Sequence, residues 1–384
     1  MHKRSIDKLN IETSILGFGT MRLPTLTGNP RDINQAEAIE MLRYAIDNGV
    51  NYIDTAWVYH QGESETVTGL ALQEGYREKV YLATKNPTWL INKEDDWDKY
   101  LDMQLKKLQT DHIDFYLQHS LDSGGWANVK KFNMLEKASQ AKKDGRIKYY
   151  GFSFHDDLAL FKEIINEYDW DFCQIQLNYL DADYQAGIEG LKIAKEKNIP
   201  VIIMEPLRGG LLATQLPCFV KERIDNNEIS HTPVEWAFKY LTNLEGILTI
   251  LSGMSTIEQV KDNIRIFSSE HAEEKNMTKE ETEFINNLVE EWKARIYIKC
   301  TDCKYCMPCP NGVDIPRNFK AYNCIQEGQF NSKEMANADY KKMVKENANA
   351  SRCIECGACE EVCPQRIDII NKLKETSKIF EEVS

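Results

Sequence analysis

Short apolar runs alternate with amphipathic stretches over most of the chain. The runs fall near Ile15–Phe18, Val50–Asp54, Val80–Lys85, Ile113–His119, Ile147–Ser153, Phe172–Tyr179, Ile199–Glu205 and Ile247–Ser252. Each is short enough for a strand buried on both faces. Between them the apolar residues recur at helical spacing: Leu101, Leu105 and Leu108 share one face, as do Ile257, Val260 and Ile264. Eight strand–helix units in sequence predict an α/β fold with a parallel (β/α)8 barrel, the TIM barrel. An open doubly wound sheet has the same periodicity and stays open at this point. Residues 206–232, with Gly209, Gly210 and Pro217, form a long connection after the seventh run. Such a connection is placed to cover a barrel mouth, or is simply solvated.

The pattern changes after residue 275. A polar helix over Lys279–Ile298 leads into a cysteine-rich tail. The expected organisation is a barrel over 1–275, a linking helix over 276–299 and a small domain over 300–384. Within the tail, Cys309-Pro310-Asn311-Gly312-Val313-Asp314-Ile315 is echoed by Cys363-Pro364-Gln365-Arg366-Ile367-Asp368-Ile369. Each copy is preceded by three cysteines at steps of three.

Composition narrows the classes. Of 384 residues, 42% are hydrophobic, which supplies a sizeable core, and the formal charge is −13. An excess of carboxylates opposes binding to nucleic acid and to anionic membranes. The longest apolar stretches, such as Ile199 to Met204, are too short to span a bilayer, and Met1-His2-Lys3-Arg4-Ser5 leads into no signal-peptide core. The expected location is the cytoplasm. The 11 cysteines suit metal or redox chemistry there better than disulfides.

The tail carries the strongest chemical signal. Its copies read Cys300-x2-Cys303-x2-Cys306-x2-Cys309-Pro310 and Cys353-x2-Cys356-x2-Cys359-x3-Cys363-Pro364. Three thiolates at such steps wrap one [4Fe-4S] cluster, and the cysteine before proline reaches the other cluster. By that rule one cluster takes Cys300, Cys303, Cys306 and Cys363, and the second takes Cys353, Cys356, Cys359 and Cys309. The first copy is one residue short before Cys309. Structural zinc, which favours separated Cys-x2-Cys pairs, is the competing reading. Cys173, Cys218 and Cys324 fit neither copy and read as small hydrophobes. Two clusters passing single electrons imply a ferredoxin-like electron partner.

The barrel carries a polar tetrad. Asp54 ends the second run, Tyr59 follows in the next loop, Lys85 ends the third run and His119 the fourth. Polar groups at successive strand ends converge on one mouth. A phenol with a free pKa of about 10 is a poor acid near neutrality. An ammonium beside it favours the phenolate, an aspartate fixes the ammonium, and a histidine holds a substrate oxygen. Trp57, Trp89, Trp126 and His60 are candidate pocket walls, or ordinary packing.

Gly17-Phe18-Gly19-Thr20-Met21, Asp54-Thr55-Ala56-Trp57-Val58-Tyr59, Thr84-Lys85 and Asp114-Phe115-Tyr116-Leu117-Gln118-His119 together resemble the motifs of the aldo-keto reductases, over about residues 10–270. The tail resembles the ferredoxin-type extension of one branch of that family. The resemblance implies Tyr59 as proton donor, tuned by Lys85 and Asp54, with His119 orienting the carbonyl of a small aldehyde or ketone, or in reverse the corresponding alcohol as substrate. It implies NAD(P)H lying against Gly19, Thr20, Met21, Asp54, Ser153, Gln174, Met204, Leu207, Gly253, Gln259 and Asn263.

The chain departs from the family at several of these. Phe154 stands where an asparagine usually holds the nicotinamide amide, with His155 beside it as a substitute. Met204 replaces the stacking aromatic. Gly253 and Gln259 occupy the places of the Lys and Arg of NADPH-preferring members, so the reading leans to NADH, with Arg208 or Lys261 as remote substitutes. The altered nicotinamide signature also admits a flavin as converter between two-electron and one-electron steps. Two further readings are an electron-transfer module without carbonyl chemistry and a non-catalytic redox-sensing subunit.

Overall fold

The computed structural model describes residues 1–6, 8–295, 297–326 and 330–381. An antiparallel hairpin of β1 (Lys3–Ile6) and β2 (Ile11–Ser14) opens the chain. Eight parallel strands follow: β3 (Leu16–Gly19), β4 (Tyr52–Asp54), β5 (Tyr81–Asn86), β6 (Ile113–Leu121), β7 (Ile147–Phe154), β8 (Phe172–Gln176), β9 (Val201–Met204) and β10 (Ile247–Gly253). They close in sequence order, with β10 returning to β3 through the pairs Ile250–Leu16 and Gly253–Gly19. The barrel is therefore closed, and the open-sheet alternative is eliminated.

All eight apolar runs became strands because the interior admits few polar groups. Tyr52, Ala83, Phe115, Leu117, Phe172, Ile202 and Leu248 are buried in one cluster, into which Leu9 and Ile11 of the hairpin pack. The hairpin, which the periodicity did not reveal, thus covers the base of the barrel. Strand contact is tightest at Gly151, where an added Cβ would lie 2.5 Å from the carbonyl oxygen of Phe172. The helix Glu94–Leu108 buries Leu101 and Leu108 as expected. The helix Ile257–Phe267 is turned from expectation: Val260, Asn263, Ile266 and Phe267 are buried, whereas Ile257 and Ile264 are half-buried.

Contacts divide the chain into two compact units, Met1–Pro206 with Phe238–Met277, and Leu207–Ala237 with Thr278–Ser384. The long connection after β9 is folded rather than a bare loop, with a helix over Cys218–Asp225. The polar helix runs over Lys279–Lys293, capped by a reciprocal Thr278–Glu281 box, and so stops short of Ile298. Among the residues of the expected extension, Ile296 lies outside the described residues.

The tail's repeat has a structural meaning. Asp314 and Asp368 each stand just before a helix, Ile315–Gln326 and Ile369–Glu381. Each carboxylate accepts from a backbone N–H three residues on, Arg317 at 3.3 Å and Asn371 at 3.4 Å, as helix-capping residues do. Val313, Ile315 and Ile369 then sit in one small core with Phe319, Tyr322, Tyr340, Met343 and Leu373.

Candidate active site and cysteine centres

Asp54, Lys85 and Tyr59 meet at the carboxyl ends of β4 and β5. The Lys85 ammonium lies 2.7 Å from Asp54 Oδ1, 2.7 Å from the carbonyl oxygen of Thr55 and 3.5 Å from Tyr59 Oη. Lys85 and Asp54 are buried, and Tyr59 is half-buried. His119 sets its ring edge-on to Tyr59, with centroids 6.1 Å apart, and Trp89 lies 5.2 Å from His119 on the other side. The tetrad therefore converges. Asp54 Oδ2 and His119 Nδ1 are buried with no hydrogen-bond partner among the described residues.

A buried network fixes this geometry. Glu65 accepts from Thr84 Oγ1 at 2.7 Å and from Gln104 Nε2 at 2.6 Å, and Gln104 also donates to the carbonyl oxygen of Lys85 at 2.9 Å. Tyr116 Oη donates to Gln104 Oε1 at 2.8 Å. Nothing in the apolar periodicity exposed Glu65 or Gln104. Their signal was a polar residue at a helical position that otherwise faces the barrel.

His119 is aimed by an irregularity. Ser120 has a φ of 54°, and the pairing of β6 with β7 slips between Gln118 and Leu121. The N–H of Ser120 donates to Ser153 Oγ at 2.7 Å. Ser153, expected against the nucleotide, thus also pins the turn that carries His119.

The electrostatics differ from the expectation for the phenol. Burial, reinforced by the charges of Asp54 and Glu205, holds the Tyr59 phenol well above its ordinary pKa, and Arg22 pulls the other way. Lys85 does not lower it because Asp54 neutralises the ammonium at closer range. Tyr59 therefore stays protonated. Burial also lowers the pKa of Lys85 and raises that of Asp54, against their mutual attraction. It drives His119 well below the ordinary imidazole range, with Lys85 and His155 adding to the shift.

His155 is likewise held neutral, its pKa pushed down to about 4 by burial. A group with a depressed folded pKa stabilises the fold above its unfolded pKa, about 6.5 for histidine, and loses that contribution as pH falls toward the folded value. For His155 that loss on full acidification is on the order of 3 kcal/mol. Urea unfolding midpoints are expected to drop between pH 7 and pH 5, with a flatter dependence in His155→Gln. A variant whose slope equals that of the wild type would contradict the buried neutral imidazole.

The residues expected at the nucleotide fall into three groups. Ser252, Gln259 and Asn263 bracket the turn into the helix Ile257–Phe267. Asn263 Nδ2 donates to Ser252 Oγ at 2.9 Å, and the N–H of Ser255 donates to Gln259 Oε1 at 2.8 Å. A helix N-terminus so ordered is a ready anion site. Gln174 leaves its buried Oε1 without a partner among the described residues, while its Nε2 meets Met204 Sδ at 3.5 Å. Gly19 pairs with Gly253 across the barrel seam, and Met21 follows in a short helical turn. Thr20 is already committed, its hydroxyl donating to the Asp54 carbonyl oxygen at 3.0 Å. Leu207 falls in the second unit.

Several residues singled out in the sequence are placed by the structure. Phe154 is fully buried and packs on Phe152 and Phe161 in the layer between barrel and helices. Arg208 also belongs to the second unit, where its charge falls on Cys300. Gly253 is covered by Arg22, whose Cβ, Cγ and Cδ lie 3.3–3.4 Å from where a Cβ would be. The charge of Arg22 acts on Tyr59. His60 and Trp126 are structural: His60 Nε2 accepts from the N–H of Leu23 at 3.1 Å, and buried Trp126 donates to Glu163 at 2.7 Å. Trp57 packs edge-on to Tyr100, whereas Trp89, 44% exposed beside His119, is placed as a wall.

In the second unit, Cys300, Cys303, Cys306 and Cys363 line one small, largely enclosed cavity walled by Ile315, Pro316, Phe319 and Ile367. The fourth sulfur comes from the other copy of the repeat. Burial raises the thiol of Cys300 to about 11. Cys309 and Cys353 in turn act on Cys359, whose pKa is raised to about 11, first by burial. Cys356 is exposed. An apolar cavity lined by four thiols, with Cys309, Cys353 and Cys359 near enough to one another to interact, suits thiolate-bound iron–sulfur clusters. Cys173 is fully buried, Cys324 packs half-buried against the tail's core, and the side chain of Cys218 lies outside the described residues.

A closed parallel barrel with Asp, Tyr, Lys and His at its mouth, joined to a cysteine-rich unit, defines an oxidoreductase of two parts. Residues 15–282 match the aldo/keto reductase family, and residues 299–367 match the 4Fe-4S dicluster domain. The chain belongs to the aldo/keto reductase family. It is similar to the uncharacterised oxidoreductase YqkF of Bacillus subtilis, at 27% identity over 77% of this chain and 98% of that protein. It is also similar to the NADH-specific methylglyoxal reductase of Escherichia coli, at 24% identity over 69% of this chain and 93% of that one. Among solved structures, the aldo-keto reductase AKR11C1 of Bacillus halodurans in its holo form superposes with a TM-score of 0.63 and 26% identity, covering 75% of this chain and 96% of that one. No helix among the described residues is long and apolar enough to cross a membrane.

Proposed function

We propose that the protein reduces a small aldehyde or ketone, or oxidises the corresponding alcohol, at the mouth of the barrel, and exchanges single electrons through two [4Fe-4S] clusters in its second unit. The observation that carries this reading is the Asp54–Lys85–Tyr59 chain beside a neutral His119.

Tyr59, kept protonated by burial, gives its proton to the carbonyl oxygen. Lys85, held by Asp54 at 2.7 Å, fixes the phenol and stabilises the charge left on it. The imidazole of His119, uncharged, orients the carbonyl without competing as an acid. Trp89 shields one side. A nicotinamide nucleotide, when bound, supplies the hydride. Its amide would meet Gln174 Oε1, and its phosphates the turn at Ser252–Gln259. Gly253 and Gln259, in the places of the cations of NADPH-preferring members, support NADH; the stem of Arg22 lies over Gly253 and its charge acts on Tyr59. Cys300, Cys303, Cys306 and Cys363 would hold one cluster, and Cys309, Cys353, Cys356 and Cys359 the other. The cluster chemistry supports a cytoplasmic location.

The test is an anaerobic visible spectrum of the purified protein with NADH, then NADPH, then methylglyoxal as a probe carbonyl. Bleaching of the broad iron–sulfur absorption by a nucleotide, and nucleotide consumption on adding the carbonyl, are expected. Bleaching with no carbonyl turnover would leave an electron-transfer module. No response to either nucleotide would overturn nicotinamide as the donor and turn attention to flavin.

A further inference from the structure

The two cysteine sets differ in their surroundings. The set of Cys300, Cys303, Cys306 and Cys363 is walled in by Ile315, Pro316 and Phe319. The other set reaches the surface, where Cys356 is exposed. Two large apolar side chains stand in the same loop, Ile354 at 61% and Val362 at 48% exposure. Exposed large aliphatic side chains beside a redox site are candidates for an interaction surface. The loop Cys353–Cys363 carries Glu355, Glu360 and Glu361 and no Lys, Arg or His. Glu355 meets Lys374 at 2.8 Å with both side chains more than half exposed, so the pair is screened and weak. Glu360 accepts from the N–H of Ile370 at 2.8 Å, and Glu361 is exposed.

We infer that this loop, which exposes Ile354, Val362, Glu355 and Glu361 beside the cluster ligands, is the docking surface for an electron-carrier protein whose own redox centre is ringed by basic side chains. The inference rests on the proposed electron exchange and names the face and the partner's charge. Apolar contact excludes water between the two redox groups, and opposite charges steer the encounter. An acidic carrier of the plant-ferredoxin kind meets like charge at this face. In each encounter the dicluster unit loses one electron and the carrier gains one.

The experiment uses the whole cluster-loaded protein, reduced anaerobically with dithionite and freed of excess reductant. Two carriers are mixed with it in stopped flow: a lysine-rimmed cytochrome c and an acidic [2Fe-2S] ferredoxin. Cytochrome c should be reduced faster, with a rate falling at least about tenfold between 20 mM and 500 mM salt. Glu355→Gln with Glu361→Gln should slow that reaction about threefold or more at low salt, with iron content and visible spectrum unchanged. The same charge change at Glu40 and Glu167, exposed residues of the first unit, should have less than half that effect. Equal effects of the two pairs would show that the protein's net charge, not this face, attracts the carrier, and would overturn the inference. A faster reaction with the acidic ferredoxin would overturn it as well. Reduction of neither carrier by a protein whose clusters are fully reduced would overturn the electron-exchange reading itself.

Discussion

Tyr59→Phe is expected to lower carbonyl turnover by about two to four orders of magnitude, the usual worth of a positioned general acid. The substitution removes one hydroxyl and little else. The ring keeps its edge-on contact with His119 at 6.1 Å and stays beneath the Lys85 ammonium at 4.9 Å. Lys85 keeps Asp54 and the Thr55 carbonyl. Nucleotide binding, iron content and the visible spectrum should therefore be unchanged, so that loss of activity reports proton transfer alone. Turnover within twofold of the wild type would refute Tyr59 as the acid. Because the phenol's pKa lies above its ordinary value, the wild-type rate of carbonyl reduction should hold level to about pH 9 and decline only as Tyr59 loses its proton.

Lys85→Met is a different kind of change. It would leave the Asp54 carboxylate buried and alone, at a cost of about 3–5 kcal/mol. An inactive Lys85 variant could thus be an unfolded one. Tyr59 is the cleaner probe because nothing depends on its hydroxyl for burial.

How much of this was legible in the sequence follows from the physics of each element. Barrel strands are buried on both faces, so their apolar runs stood out against helices that are half polar, and each run lies within a few residues of its strand. The tetrad was legible because a Lys or His at the end of such a run has no packing reason to be there. Helix phase was less so: the buried face of Ile257–Phe267 includes Asn263, a polar residue satisfied by Ser252, which hydrophobicity alone assigns to solvent. The charge state of the tetrad was also hidden. Proximity of Lys85 to Tyr59 was inferable, but not that Asp54 would claim the ammonium and that burial would dominate the phenol. Arg22 escaped notice because its contact with Gly253 joins the first barrel strand to the last, a closure that no local pattern announces.

The repeat in the tail makes the sharpest prediction about the second unit. Cys363 follows three cysteines of its own copy, yet it lines the cavity of Cys300, Cys303 and Cys306. Cys363→Ala should therefore damage the same cluster as Cys300→Ala. Each single variant should fall from about eight to about four irons per chain, and the double variant should stay near four, because both changes strike one cluster. Pairing Cys363→Ala with Cys353→Ala should instead strip the chain of nearly all its iron. If ligands were segregated by copy, the outcomes would reverse: the 300/363 pair would lose both clusters and the 353/363 pair only one. Iron analysis of the four variants, with electron paramagnetic resonance of the reduced proteins to identify the surviving cluster, separates the two arrangements. On the proposed ligation, the exchange of one thiolate in each direction would tie the helix Ile315–Gln326 to Ile369–Glu381 through the clusters as well as through their shared core. Loss of either cluster should accordingly loosen both helices, and hydrogen exchange should rise in both after Cys300→Ala rather than in the first alone.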